Sequence, residues 1–137
     1  MEHIKRLCED LEISIPIQPS DKGVFTFPIG DDLAVEIREI SPSGVYFYSP
    51  ISPCPQVKKE EILTHIMKGN LFGRGTFGAT IGMEEADELE MLTLSQEFSE
   101  SMDYRSFKEA LEDFANIVEY WRVEVDQHIQ KAKSELL

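Results

Sequence analysis

The sequence predicts an α+β fold, a twisted antiparallel sheet with helices packed on it, in the order α-β-β-β-α-β-β-α. Three observations carry this. Apolar side chains alternate with a two-residue period in short runs divided by Gly, Pro and Asp. A 3.6-residue period fills the start, the middle and the last quarter of the chain, and no proline follows Pro55. Strands joined by short turns pair antiparallel, and helices then cover the sheet. The 137 residues have the size of one domain, 1–137, able to bury a core. A hydrophobic fraction of 42% argues against disorder.

Residues 2–11 place Ile4, Leu7, Cys8 and Leu11 at helical spacing, so the chain opens with a short amphipathic helix ended by Pro16 and Pro19. Val24 to Ile29 is β-rich and is closed by Pro28, Gly30 and Asp31–Asp32. Leu33 to Ile40 then alternates, with Leu33, Val35 and Ile37 on one face and Glu36 and Arg38 on the other, the pattern of a half-buried strand. Ser41 to Gly44 has hairpin-turn composition, and Val45 to Tyr48 reads as a strand covered on both sides. Pro50, Pro53 and Pro55 are expected to form a stiff exit loop. Val57 to Lys68 carries Ile62, Leu63, Ile66 and Met67 on a helix that Gly69 should stop.

Asn70 to Ser95 holds the densest run of glycines. Gly73, Gly75 and Gly78 fit the spacing of a dinucleotide-binding loop, which needs a strand before it and a helix after it. Here helical periodicity precedes the glycines and alternation follows them, so they are read as structural, permitting a tight helix-to-strand turn and close backbone approach. Phe77, Ala79, Ile81 and Met83 alternate as one strand, Leu89 to Ser95 is its partner, and Glu84 to Glu88 is the acidic turn between. From Asp103 to about Lys133, the residues Phe107, Leu111, Phe114, Val118, Trp121, Val125 and Ile129 form one stripe of a long helix. Ser106 with Glu109 can make a capping box there, or Asp103 can cap one turn earlier.

The net charge of −13 argues against direct nucleic-acid or anionic-membrane binding, and would suit a basic or aggregation-prone partner. Eight acids and no base lie between Glu84 and Asp103, read first as a solvated surface. No apolar run approaches the ~18 residues of a membrane span. The start, MEHIKRLCEDLEI, mixes acids with bases and is not read as a signal peptide. Cys8 and Cys54 lack metal or redox spacing and are expected to be free thiols, with a cytosolic address. His3, His65 and His128 lie in three different helices without metal-ligand spacing, no serine sits in a nucleophile elbow, and neither cysteine has a neighbouring His. No catalytic residue, metal or cofactor is expected. The chain reads as a binding protein, not an enzyme.

Asn70-Leu71-Phe72-Gly73, followed by a glycine-bearing turn and by Gly78–Ala79, resembles the centre of the class I type III secretion chaperones, the CesT/SycE-like family. Phe114 and the Trp121–Arg122 pair match the family's C-terminal helix. The element order, length and acidity agree, so the resemblance covers essentially the whole chain. It implies a cytosolic bacterial dimer that holds the N-terminal segment of a secreted effector in extended form, without ATP. On this resemblance the effector-facing surface is assigned to Ile4, Leu7, Leu11, Val24, Phe25 and Phe27. The dimer interface is assigned to Ile62, Ile66, Leu71, Phe72, Ala79 and Ile81. The homodimer has an alternative, a heterodimer with a sister chaperone. A further alternative is a regulator that binds RNA polymerase or a sigma factor. A third expectation, from another class, is a small acidic ligand-binding domain or hydrolase, which requires a deep polar pocket with a perturbed carboxylate.

Overall fold

A computed structural model describes residues 2–13, 17–40 and 44–135. The expected Ser41–Gly44 turn and the helix-ending role of Pro16 fall on residues 41–43 and 16, outside the described residues. The elements are α1 (Glu2–Asp10), β1 (Val24–Ile29), β2 (Leu33–Ile40), β3 (Gly44–Pro53), α2 (Lys59–Asn70), a one-turn 3-10 helix (Leu71–Gly73), β4 (Thr80–Ala86), β5 (Leu89–Phe98) and α3 (Tyr104–Glu135). The strands form a five-stranded antiparallel sheet in the order β1-β2-β3-β5-β4, so the expected α+β class and element order hold. Residues 1–49 with 96–115 make one compact unit, and 50–95 with 116–137 make a second.

In the first unit β1 and β2 occupy the expected spans, in register from Val24↔Arg38 to Ile29↔Leu33. Leu33, Val35 and Ile37 are buried on one face, as their alternation requires. Phe47 of β3 is the centre of the core, with the rings of Phe98, Phe107 and Phe114 at 5.6, 5.9 and 5.5 Å. Tyr46 and Tyr48 are only half-buried, so β3 is covered fully on one face and not on both. α1 stops before the prolines. Glu12 takes a left-handed φ of 55°, its N–H donates to the Glu9 carbonyl, and the Ile13 N–H donates to the Cys8 carbonyl. That pair of bonds is a Schellman motif, which satisfies the last carbonyls and turns the chain away. Leu11 lies beyond the helix end and is exposed, off the buried stripe of Ile4, Leu7 and Cys8. Asp103 caps α3, its Oδ1 accepting the Ser106 N–H at 2.8 Å. This is the earlier of the two expected caps, and that bond holds the Asp103 carboxyl below its usual range.

In the second unit the tail of β3 overturns an expectation. Pro50 and Pro53 belong to the strand and not to an exit loop. The β2–β3 register ends at Glu36↔Tyr48, so prolines beyond it interrupt no rung on that side. The Arg122 guanidinium donates to the Ile51 carbonyl at 3.0 Å and to that of Pro50. Gly69 also departs from expectation, lying inside α2 and not after it. A Cβ there would meet the Trp121 ring at 2.8 Å, so glycine serves helix packing instead of helix termination. The strand expected from Phe77 begins only at Thr80, because Phe77 is a left-handed turn residue with φ 53°. The acidic turn is also shorter than expected. β4 runs to Ala86, and Asp87–Glu88, at φ 51° and 64°, form a two-residue hairpin between Ala86 and Leu89.

Candidate functional site

The first unit carries an open groove of about 440 Å³. One wall is α1, through Glu2, Ile4, Lys5, Cys8 and Glu9; Phe25 of β1 and the link residues Ile13, Ile17, Gln18 and Pro19 complete it. The floor is apolar and the rim charged. The Schellman turn at Glu12 is what brings Ile13 back beside the helix it has just left.

Polar contacts fix α1 in place. The His3 Nε2–H donates to the Met102 carbonyl at 2.8 Å, with its ring stacked on Phe107. The Arg6 guanidinium lies 4.3 Å above the Tyr104 ring. The Tyr104 hydroxyl donates to Asp10 at 2.5 Å; burial first, and then this bond, push the phenol up to about 12. A groove wall pinned at His3, Arg6 and Asp10 needs little reordering to receive a ligand.

Of the residues assigned to effector binding, Ile4 and Phe25 line this groove. Leu7 and Phe27 are buried in the core, Val24 is half-buried, and Leu11 is exposed. Cys8, Ile13 and Ile17 line the groove without having been picked out. Residues 13–19 have no periodicity to signal a shared surface, and Cys8 carried only the signals of α1's apolar stripe and of a free thiol.

The second unit presents the opposite arrangement. Met67, Leu71, Phe72 and Phe77 expose their side chains around the glycine loop, Phe72 at 86% and Phe77 at 76%. Both phenylalanines have left-handed φ angles near 55°. The loop is held from beneath. The Gly78 N–H donates to the Gly73 carbonyl, and a Cβ on Gly73 would meet the Gly78 Cα at 2.9 Å. The Trp121 Nε1–H donates to the Gly75 carbonyl at 3.0 Å, and a Cβ on Gly75 would strike the Gly69 Cα. Of the residues assigned to the dimer interface, Leu71 and Phe72 lie on this exposed surface. Ile62, Ile66, Ala79 and Ile81 are buried within the protomer, Ile66 at 6% exposure.

Other chemistry is sparse. Burial raises the Cys54 thiol above its usual range, and both cysteines are buried and free. Lys59 hydrogen-bonds Glu90 at 2.5 Å and with Gln56 lowers that carboxyl. His65 donates to Glu124 at 3.0 Å beside the Trp121 ring. Among the described residues no cluster of three His, Cys, Asp or Glu could hold a metal ion, and no helix is long and apolar enough to cross a membrane.

The sequence model of the Tir chaperone protein (CesT) family matches residues 2–122. A Chlamydia pneumoniae protein, CPj0713/CpB0740, is 24% identical over 119 residues, which cover 86% of this chain and 89% of that one. Among solved structures, a chain of the HopA1–SchA chaperone–effector complex superposes with a TM-score of 0.69 at 15% identity, covering 88% of this chain and 91% of that one. The Yersinia pestis type III secretion chaperone SycH, in complex with a stable fragment of YscM2, gives a TM-score of 0.61 at 12% identity, covering 90% and 97%. At such identities these structures establish the fold, and the family match over nearly the whole chain establishes the lineage: this chain belongs to the Tir chaperone protein (CesT) family, with the fold of a type III secretion chaperone.

Proposed function

We propose that this protein is a cytosolic type III secretion chaperone that binds the N-terminal segment of a secreted effector in extended form and keeps it secretion-competent, without ATP. The observation that carries the proposal is the apolar-floored groove along α1, in a chain of this family. The nine residues of α1 give about 13 Å of wall, the length of about four extended residues. Apolar side chains of the client enter between Ile4, Ile13 and Phe25, while Glu2, Lys5 and Glu9 at the rim meet its polar ones. A client held this way cannot fold, because the groups that would form its own core are already covered. Binding and release are then set by affinity, with no covalent step, and the chain acts as a binding protein and not an enzyme.

In this reading the protein is a dimer, a homodimer or a heterodimer with a sister chaperone, joined through Met67, Leu71, Phe72 and Phe77, and each protomer carries its own capture groove. Exposed phenylalanines on a strained loop are stabilised by a partner surface that covers them. Ile62, Ile66, Ala79 and Ile81 hold that surface in shape from within. Affinity capture from the native bacterium, with limited proteolysis of the retained material, tests the function. The expected result is one or a few exported proteins protected only near their N-termini. Retention of only a polymerase subunit would favour the regulatory alternative, and retention of nothing would contradict the proposal.

A further inference from the structure

The nine residues of α1 divide into three stripes at helical spacing. Ile4, Leu7 and Cys8 face the core, and Glu2, Lys5 and Glu9 border the groove. The third stripe, His3, Arg6 and Asp10, faces the start of α3. Among the described residues, every side-chain hydrogen bond and ring contact of α1 goes to residues 102–107. Tyr104 meets all three members of that stripe. Its ring lies 6.0 Å from that of His3 and 4.3 Å from the Arg6 guanidinium, and its hydroxyl donates to Asp10.

A helix this short does not hold itself together in water, so its tertiary contacts decide whether it stays formed. Its C-terminal end is the weaker one. The last turn holds no base, and the carboxylates of Glu9 and Asp10 lie at the negative end of the helix dipole. The Tyr104 hydroxyl supplies Asp10 with a donor there. Just beyond Asp10 the chain turns, the Ile13 N–H donates to the Cys8 carbonyl, and Ile13 joins Cys8 in lining the groove. Fraying of α1 at Asp10 breaks that bond, takes Ile13 from the wall and opens a path to the buried Cys8 thiol.

We propose that Tyr104 is the positioning residue of the groove: its bond to Asp10 fastens the last turn of α1 to α3, and so fixes the turn at Glu12 and the place of Ile13 beside Cys8. The consequence for client capture rests on the chaperone reading. The fastening itself does not, because it is read from the contacts between α1 and the start of α3.

The test is alkylation of the folded full chain by N-ethylmaleimide, with the two thiols resolved by mass spectrometry. Cys8 lines the groove, and Cys54, equally buried in the second unit, reports opening of the fold as a whole. Tyr104→Phe keeps the ring beside His3 and Arg6 and removes only the donor. It is expected to raise the Cys8 rate about ten-fold and to leave the Cys54 rate unchanged. Asp10→Ala should do the same, and the double variant should be no faster than either single one, since both remove one bond. Asp10→Asn keeps an acceptor oxygen and should stay near wild type. Folded Tyr104→Phe should also retain about ten-fold less exported protein from the native bacterium. A wild type that retains none would overturn the chaperone reading, while the alkylation rates would still decide whether Tyr104 fastens α1. An unchanged Cys8 rate in Tyr104→Phe, an equal rise at Cys8 and Cys54, or effects that multiply in the double variant would overturn the proposal.

Discussion

The α1 groove and the glycine loop are both apolar, and they solve the exposure of apolar side chains in opposite ways. At the groove Ile4 and Cys8 are almost fully buried, and the cavity they help line with Ile13, Ile17 and Phe25 is bordered by charge. At the loop Phe72 and Phe77 stand in solvent on left-handed backbone, held there by close contact between Gly73 and Gly78. A recessed apolar floor can stay vacant at modest cost and receive varied side chains. A displayed aromatic pair fits a partner of complementary shape. The first is suited to a loosely specified client and the second to one fixed partner, which is why capture is assigned to the groove and twofold contact to the loop.

Substitutions in α2 and the loop separate display from support. Ile66→Asp buries an unpaired carboxylate and should cost about 4 kcal/mol or more, so the chain should unfold in a chemical denaturation series before any change in assembly can be seen. A folded monomer would instead place Ile66 in the interface. Gly69→Ala forces a methyl against the Trp121 ring and should lower stability by roughly 1–3 kcal/mol; an unchanged denaturation midpoint would show that the ring moves freely aside. Phe72→Ser removes only exposed apolar surface, so stability should stay within about 0.5 kcal/mol while the solution mass falls from dimer to monomer. An unchanged mass would move the twofold contact elsewhere.

The smallest expected effect concerns pH. The Glu90 carboxyl is held below its ordinary 4.5 by hydrogen bonds from Lys59 and Gln56. A carboxyl depressed in the folded state contributes stability above its ordinary range and loses it as pH falls through the depressed value. Stability should therefore decline on acidification below about pH 4.5, and Glu90→Gln should flatten part of that decline. Parallel wild-type and Glu90→Gln profiles would show that the contact contributes nothing measurable.

What could be read from the sequence followed the range of the forces involved. β1 and β2 were legible to the residue because Leu33, Val35 and Ile37 alternate and Pro28, Gly30 and Asp31–Asp32 punctuate them. Pro50 and Pro53 were misread because the Arg122 donors to the Pro50 and Ile51 carbonyls come from a distant helix. Gly69 carried the composition of a helix stop, and only the position of Trp121 shows that it is a contact point. The hairpin at Asp87–Glu88 uses left-handed acids where Asn-Gly is the usual signal, so its length was overestimated. At the candidate site, Ile4 and Phe25 were picked out through the family resemblance, and both line the groove. Ile13 and Ile17 were not, because the turn at Glu12 is made by backbone bonds that leave no pattern in side-chain type.

The central claim is that the α1 groove captures an extended client segment. The most direct measurement compares what wild type, Phe25→Asp and Phe72→Ser each retain from the native bacterium, with each variant's fold checked by circular dichroism. The account predicts that wild type and folded Phe72→Ser retain an exported protein protected only near its N-terminus, and that folded Phe25→Asp loses it. Equal retention by folded Phe25→Asp, or protection of a compact domain of the client, would contradict it.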